Sequence, residues 1–168
     1  RRRQPMSFPD QLKMRSQFPR LDVPNVAFRN RGEFRFEDQS AAWGFDSRRI
    51  SHGMALADLD GDGDLDVVVN CLNDGPLVYE NIGTAPRVAI RLKGLSPNTR
   101  GIGARVCVTF PGLPVQCQEM IAGGRYLSSD DALRTFAAGS SGGSGTVEVR
   151  WRSGRRSTVA DVRPGEGV

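Results

Sequence analysis

Asp58-Leu59-Asp60-Gly61-Asp62-Gly63-Asp64-Leu65-Asp66 runs straight into Val67-Val68-Val69, and the reading of this stretch decides the reading of the chain. Five carboxylates in nine residues repel one another in a bare loop, so a compact cation among them is expected. Calcium fits best, because it takes about six to eight hard oxygens and acids at alternate positions can wrap round one point. Asp58, Asp60 and Asp62 supply side-chain oxygens at positions one, three and five. Asp64 supplies its backbone carbonyl at position seven, and Asp66 closes the shell at position nine. Gly61 and Gly63 permit the turn, since a residue without Cβ adopts positive φ at no steric cost. An EF-hand starts in the same way but needs a glutamate at position twelve and flanking helices, whereas position twelve here is Val69 in a β-branched run. The loop therefore leads into a strand. A solvated acidic turn is the bland alternative, and the number of acids at this spacing argues against it. A catalytic acid pair is disfavoured because nothing nearby supplies the desolvation that separates two carboxyl pKa values.

Outward from the loop, residues 26–83 read as short strands over 25–29, 34–37, 53–57, 67–70 and 77–80. Turn signals at residues 30–32 and 73–76 separate them, and Trp43 and Phe45 are expected to be buried. This amounts to about one four-stranded blade. A single blade leaves its faces open, so the C-terminal part, a further piece of a parent protein, or another copy must cover them. Residues 1–25 carry Pro5, Pro9, Pro19 and Pro24, which prevent a long helix or a central strand and predict an extended arm. It serves either as a linker or to dock Phe8, Leu12, Met14 and Phe18 on a neighbour.

From residue 84 to 168 the alternation is cleaner. Val88, Ile90 and Leu92, then Val106, Val108 and Phe110, then Val147, Val149 and Trp151 each take every second position, which sends one face to a core. A small antiparallel β-sandwich or barrel follows. Residues 139–145 are glycine and serine with nothing to pack, and read as a loop. Cys71, Cys107 and Cys117 are an odd number, so at least one lacks an intrachain partner. A five-residue loop over 110–114 sets Cys107 opposite Cys117 for a disulfide; a four-residue loop sets it opposite Gln118 with the sulfurs on opposite faces. Cys71 is expected as a buried small residue.

Composition narrows the function. Charged residues at 25% and apolar ones at 38% suit a globular chain, and no apolar run approaches the roughly 20 residues of a membrane span. The net charge of +4 comes largely from Arg1, Arg2 and Arg3, the other arginines are scattered among acids, and no stacking platform accompanies them, so nucleic acid is not expected as a partner. The first methionine is Met6, so the numbered start reads as a processed or truncated one, and the lack of a signal peptide says nothing about export. His52 is the sole histidine, which excludes a histidine-based triad or a multi-histidine zinc site and leaves it a turn or packing role. Ser128, Ser129, Asp130 and Asp131 lack a base and read as a turn at a strand end, and Glu119 is placed to pair with Arg125.

Residues 58–66, with Ala55-Leu56-Ala57 before and Val67-Val68-Val69 after, resemble the calcium loop of FG-GAP (VCBS) repeats, the blades of integrin-type β-propellers. Residues 28–38 resemble the strand and turn that open such a repeat, and Glu80-Asn81-Ile82-Gly83 the start of the next. Three further stretches, 98–106, 123–129 and 149–154, are similar to the signatures of the ASPIC/UnbV domain, which follows FG-GAP repeats in the cartilage acidic protein-like family. Two departures stand out: Phe136-Ala137-Ala138-Gly139 where phenylalanine-glycine-leucine-glycine is usual, and Arg152 where proline is. The resemblance implies an extracellular, cell-surface or periplasmic protein of binding or structural type. We therefore expect an all-β chain with a partial propeller-type blade carrying Ca²⁺ at Asp58, Asp60, Asp62, Asp64 and Asp66, then a small β-sandwich or barrel. The expected function is a non-enzymatic calcium-binding structural or interaction module whose open blade is covered by other protein chains or further copies. The alternative is a calcium-dependent carbohydrate- or surface-binding adhesin, with Trp43 and Tyr79 as the nearby aromatic candidates for a glycan.

Overall fold

The computed structural model describes residues 6–140, 142–165 and 167. Packing divides the chain into two compact units, residues 1–51 and 52–168, with the boundary inside the range 26–83. The first unit holds α1 (Phe8–Arg15), β1 (Val23–Pro24), β2 (Phe28–Asn30), β3 (Phe36–Asp38) and β4 (Arg48–Arg49). The arm expected to be extended thus contains a helix, while Arg1 to Pro5 lie outside the described residues. Pro9 sits in its first turn, where the missing N–H is no loss, and the Ser7 hydroxyl caps the Asp10 N–H. This helix buries none of its residues, so Phe8, Leu12, Met14 and Phe18 are all exposed. The strands form two separate two-stranded sheets, β1 with β4 and β2 with β3. In the β2–β3 turn Asn30 Oδ1 accepts the Gly32 N–H, and Gly32 takes a φ of +80°. Trp43, expected to be buried, is 54% exposed, and Phe45 is half-buried.

The second unit opens with a three-stranded sheet of order β5-β6-β7, built from β5 (Ser51–Ala57), β6 (Asp66–Cys71) and β7 (Leu77–Tyr79). The aspartate loop joins β5 to β6, and Asn73 at φ +53° turns the chain so that Val68 faces Val78. The four-stranded blade expected over 26–83 is instead a three-stranded sheet, and β2 and β3 form a separate two-stranded one. After it come β8 (Arg87–Arg91), β9 (Arg105–Thr109), β10 (Gln116–Glu119), β11 (Gly124–Arg125), β12 (Ser128–Ser129), β13 (Leu133–Ala137), β14 (Gly145–Arg150) and β15 (Arg156–Val162). They make a four-stranded antiparallel sheet of order β10-β9-β14-β15, a β8–β13 pair and a β11–β12 pair. Among the described residues the sheets stay open, with no closed barrel.

The core follows the alternation. Val88 and Ile90 of β8 and Phe136 of β13 pack against Val106, Val108, Val147 and Val149 of the larger sheet, with Phe110 and Met120 filling the ends. A fully buried side chain of this size contributes about 1.5–3 kcal/mol of transfer free energy. In the β5–β7 sheet only Val69 and Cys71 are buried apolar residues. The sandwich therefore anchors the unit, and the small sheet depends on its ties to it. Cys107 faces Cys117 and the two form a disulfide, so the connection takes the five-residue register. The bridge lies on the sheet face opposite Val106 and Val108. Among the described residues no helix is long and apolar enough to cross a membrane.

Candidate metal centre

The local fold of the loop is set by its own carboxylates. Asp58 accepts the Gly61 N–H at 2.7 Å on one oxygen and the Gly63 N–H at 3.1 Å on the other. Asp60 accepts from the Asp62 N–H, and Asp62 from the Asp64 N–H. Gly61 and Gly63 both stand at positive φ, +82° and +86°, which lets successive amides turn inward. Asp66, only 2% exposed, accepts the Leu59 N–H and the Asn81 N–H, each at 2.8 Å, and so ties the loop to the chain beyond β7. Thr135 of β13 donates to the Gly63 carbonyl at 3.2 Å, fastening the loop to the sandwich.

Three of the five aspartates converge. One carboxyl oxygen from each of Asp58, Asp60 and Asp66 lies within 4.8 Å of the others. Asp62 and Asp64 are drawn elsewhere, to Arg87 at the start of β8. Arg87 Nη2 donates to Asp62 Oδ2 at 2.7 Å, and Nη1 lies 2.7 Å from Asp64 Oδ2 while donating to the Gly83 carbonyl at 2.6 Å. The contact with Asp64 is an ion pair without hydrogen-bond geometry, so both Asp64 oxygens are buried with no hydrogen-bond donor. Burial pushes the Asp64 carboxyl up, Arg87 pulls it back, and Asp62, Asp66 and Asp60 push it up again, to about 6. A buried carboxylate without donors is costly, and it needs positive charge beyond the one guanidinium it has. The donor set is all hard oxygen, which suits a calcium-like cation and not a soft transition metal. The residues present therefore fit such an ion, with Asp58, Asp60 and Asp66 as those placed to hold it.

Arg87 was invisible to a reading centred on the loop, since it lies 21 residues beyond Asp66 and looks like an ordinary charged start to an apolar strand. The second unforeseen element is the segment that carries β12. Ser128 Oγ donates to the Met54 carbonyl, Asp130 Oδ1 accepts the Leu56 N–H at 2.9 Å, and the Asp131 N–H donates to the Leu56 carbonyl at 2.8 Å. This segment runs along β5 and uses its backbone groups. Gly53 is glycine for that reason: a Cβ there would stand 2.9 Å from the Tyr126 carbonyl oxygen. The cluster 128–131 is thus a clamp on a strand edge and more than a turn. Arg125 pairs with Asp130 at 2.5 Å and not with Glu119, whose carbonyl accepts from Arg134. Burial pushes the Asp130 carboxyl up, but Arg125 and the Leu56 N–H outweigh it and hold it below the ordinary carboxylate range. Asp131 is held low by its two bonds to Arg91, at 3.0 and 2.6 Å, against the effect of burial.

A cleft of about 620 Å³ adjoins the loop, lined by Asp58 and Asp62 on one side and by Arg87, Arg91 and Lys93 on the other. His52 lies on β5 and packs edge-on against Tyr126 with ring centres 6.4 Å apart, so it is a packing residue. Cys71 is buried and unbridged.

Residues 94–168 match the model of the ASPIC and UnbV family, and residues 20–69 match that of the FG-GAP-like repeat. The second match crosses the boundary between the two packing units and ends at Val69, just beyond the aspartate loop. No curated protein matches the chain. Modules of these two kinds are generally non-catalytic and of extracellular interaction type. The chain therefore has the architecture of an FG-GAP-like repeat followed by a C-terminal ASPIC/UnbV domain.

Proposed function

We propose that this chain is a calcium-stabilised, non-enzymatic interaction module of extracellular or cell-surface kind. The observation that carries the reading is the meeting of Asp58, Asp60 and Asp66 beside a buried Asp64 that no donor satisfies. A divalent ion held there offsets the mutual repulsion of the carboxylates and fixes the entry to β6, so that binding energy becomes folding energy. Asp62 and the Asp64 carbonyl are the further oxygens on which the reading draws. The partner is protein. The β5–β6–β7 sheet has only three strands and leaves Val78 61% exposed, so another chain or a second copy is the natural cover.

Thermal unfolding with excess Ca²⁺ and with a chelator, at several protein concentrations, tests both halves. A ligand at a hundred times its Kd stabilises by about 2.7 kcal/mol, which for a chain of this size is a shift of roughly 5–10 °C. A chelator that leaves Tm unchanged would remove the metal from the proposal. A Tm that rises with protein concentration would identify the cover as a second copy, and a flat one would assign it to a different chain.

A further inference from the structure

A second cleft, of about 480 Å³, lies in the C-terminal domain, and no acidic residue lines it. Lys93, Arg152 and Arg155 stand around it, and their side chains make no hydrogen bond or ion pair with another described residue. Arg87, Arg91, Arg125 and Arg156 are each tied to a carboxylate. Of the cations left without a carboxylate, Lys93, Arg152 and Arg155 stand round this one cleft, where like charges repel and an anion would relieve them.

The Trp151 indole lines the same cleft. Its Nε1–H donates to Ser157 Oγ at 2.8 Å, and its far edge packs so closely that a Cβ on Gly101 would lie 3.2 Å from Cζ3. The ring is thus fixed before any ligand arrives. Ser157, accepting from the indole, keeps its own proton to donate. Asn98, which lines the cleft, both donates to and accepts from Ile102 at 2.8 Å, so its loop is tied. An immobile apolar face among unpaired guanidinium forks and an ammonium matches a ligand with an apolar face and anionic substituents on its rim. A pyranose ring bearing carboxylate or sulfate has both, and the volume lies within the range of small-ligand sites. A single aromatic wall does not provide the successive platforms on which single-stranded nucleic acid stacks.

We infer that the cleft between Lys93, Trp151, Arg152 and Arg155 is a binding site for an acidic sugar. The inference does not rest on the calcium reading, since none of these residues belongs to the aspartate loop.

The test uses the full chain carrying Trp43→Phe, which leaves Trp151 as its one fluorophore of the two tryptophans. The probes are a heparin-derived hexasaccharide, hexagalacturonate, neutral maltohexaose and the oligonucleotide dT6. The expected result is a saturable change in Trp151 emission with at least one of the acidic sugars and none with maltohexaose. Binding of hexagalacturonate would show that carboxylate suffices, and binding of the heparin fragment alone would show that sulfate, which heparin carries beside its own carboxylates, is required. Arg152→Ala with Arg155→Ala weakens that probe at least tenfold, and Lys93→Gln alone at least threefold. Lys13→Ala with Arg29→Ala removes the same charge from the other unit and leaves the affinity within twofold. All of these cations are exposed, so the variants keep the fold, as matching melting curves will show. No saturable signal with either acid, equal weakening by the two double variants, or dT6 binding as well as the better sugar would each overturn the inference.

Discussion

Replacing Arg87 by methionine tests the reasoning about the loop most directly. The substitution keeps the aliphatic stem and removes the guanidinium that pairs with Asp62 and Asp64 and donates to the Gly83 carbonyl. The cost depends on pH because the Asp64 pKa lies near 6. At pH 7.5, without metal, the native chain carries Asp64 charged against Arg87; in the variant that charge is buried with no partner and the carboxyl takes up a proton instead. Breaking a buried pair costs about 3–5 kcal/mol, and protonation caps the loss toward the lower end, at about 3 kcal/mol. At pH 5 Asp64 is already protonated in the native chain. What remains is the Gly83 hydrogen bond and the half-exposed pair with Asp62, together about 1 kcal/mol. The sign for the native chain follows from the same pKa. A carboxyl raised from 3.8 to about 6 makes the folded state bind more protons than the unfolded one, so metal-free stability falls by up to about 3 kcal/mol as pH rises through that window. Asp130 and Asp131, held low, lose their stabilisation only as pH falls below the ordinary carboxylate range, outside this window. Urea unfolding of the chelated protein at pH 5.0 and 7.5, followed by Trp151 emission with Trp43→Phe, measures both. Equal destabilisation by Arg87→Met at the two pH values would refute the account of Asp64.

Three more outcomes follow from the described contacts. Asp66→Asn halves the acceptor capacity that holds the Leu59 and Asn81 amides, so it should cost about 1–3 kcal/mol even with chelator present and also abolish the Ca²⁺-induced rise in Tm; a melting shift with metal equal to that of the native chain would count against it. Gly53→Ala pushes a methyl to 2.9 Å from the Tyr126 carbonyl, and amide exchange at Leu56 and Asp131 should speed up while the exchange of β9 and β14 stays unchanged. Replacing Cys107 and Cys117 by serine opens a link with a sequence separation of 10, for which chain entropy gives a loss of about 2–3 kcal/mol; a denaturation midpoint that does not move would show that the bridge adds nothing.

Much of this was legible because the relevant signals are local. The period-2 runs of β8, β9 and β14 are enough to place Val88, Val106 and Val147 in the core. The loop announced its own turns through Gly61 and Gly63. The five-residue connection was one of two registers that the sequence left open, and pairing across Cys107 and Cys117 settles it. Long-range charge was not legible: nothing marks Arg87 as the counter-ion of Asp64, or Asp130 as the acceptor for Leu56, because these partners meet only when sheets pack. The helix at Phe8–Arg15 is not legible in the number of prolines, because Pro9 sits where a first turn tolerates it. Trp43, expected to be buried within the connection between blade strands, stands 54% exposed, since an apolar side chain is covered only where a neighbour packs on it.

The strip 128–131 along β5 also bears on how chains of this kind can be recombined. A crossover between β7 and β8, near residue 84, is where the motifs change character and where a chimera would naturally be joined. It would separate Leu56 from Asp130 and Asp64 from Arg87, leaving each parent half with a broken bond or an orphaned charge. A crossover at residues 51–52 cuts neither. Exchange between relatives would then carry the aspartate loop and the sandwich together as one heritable block.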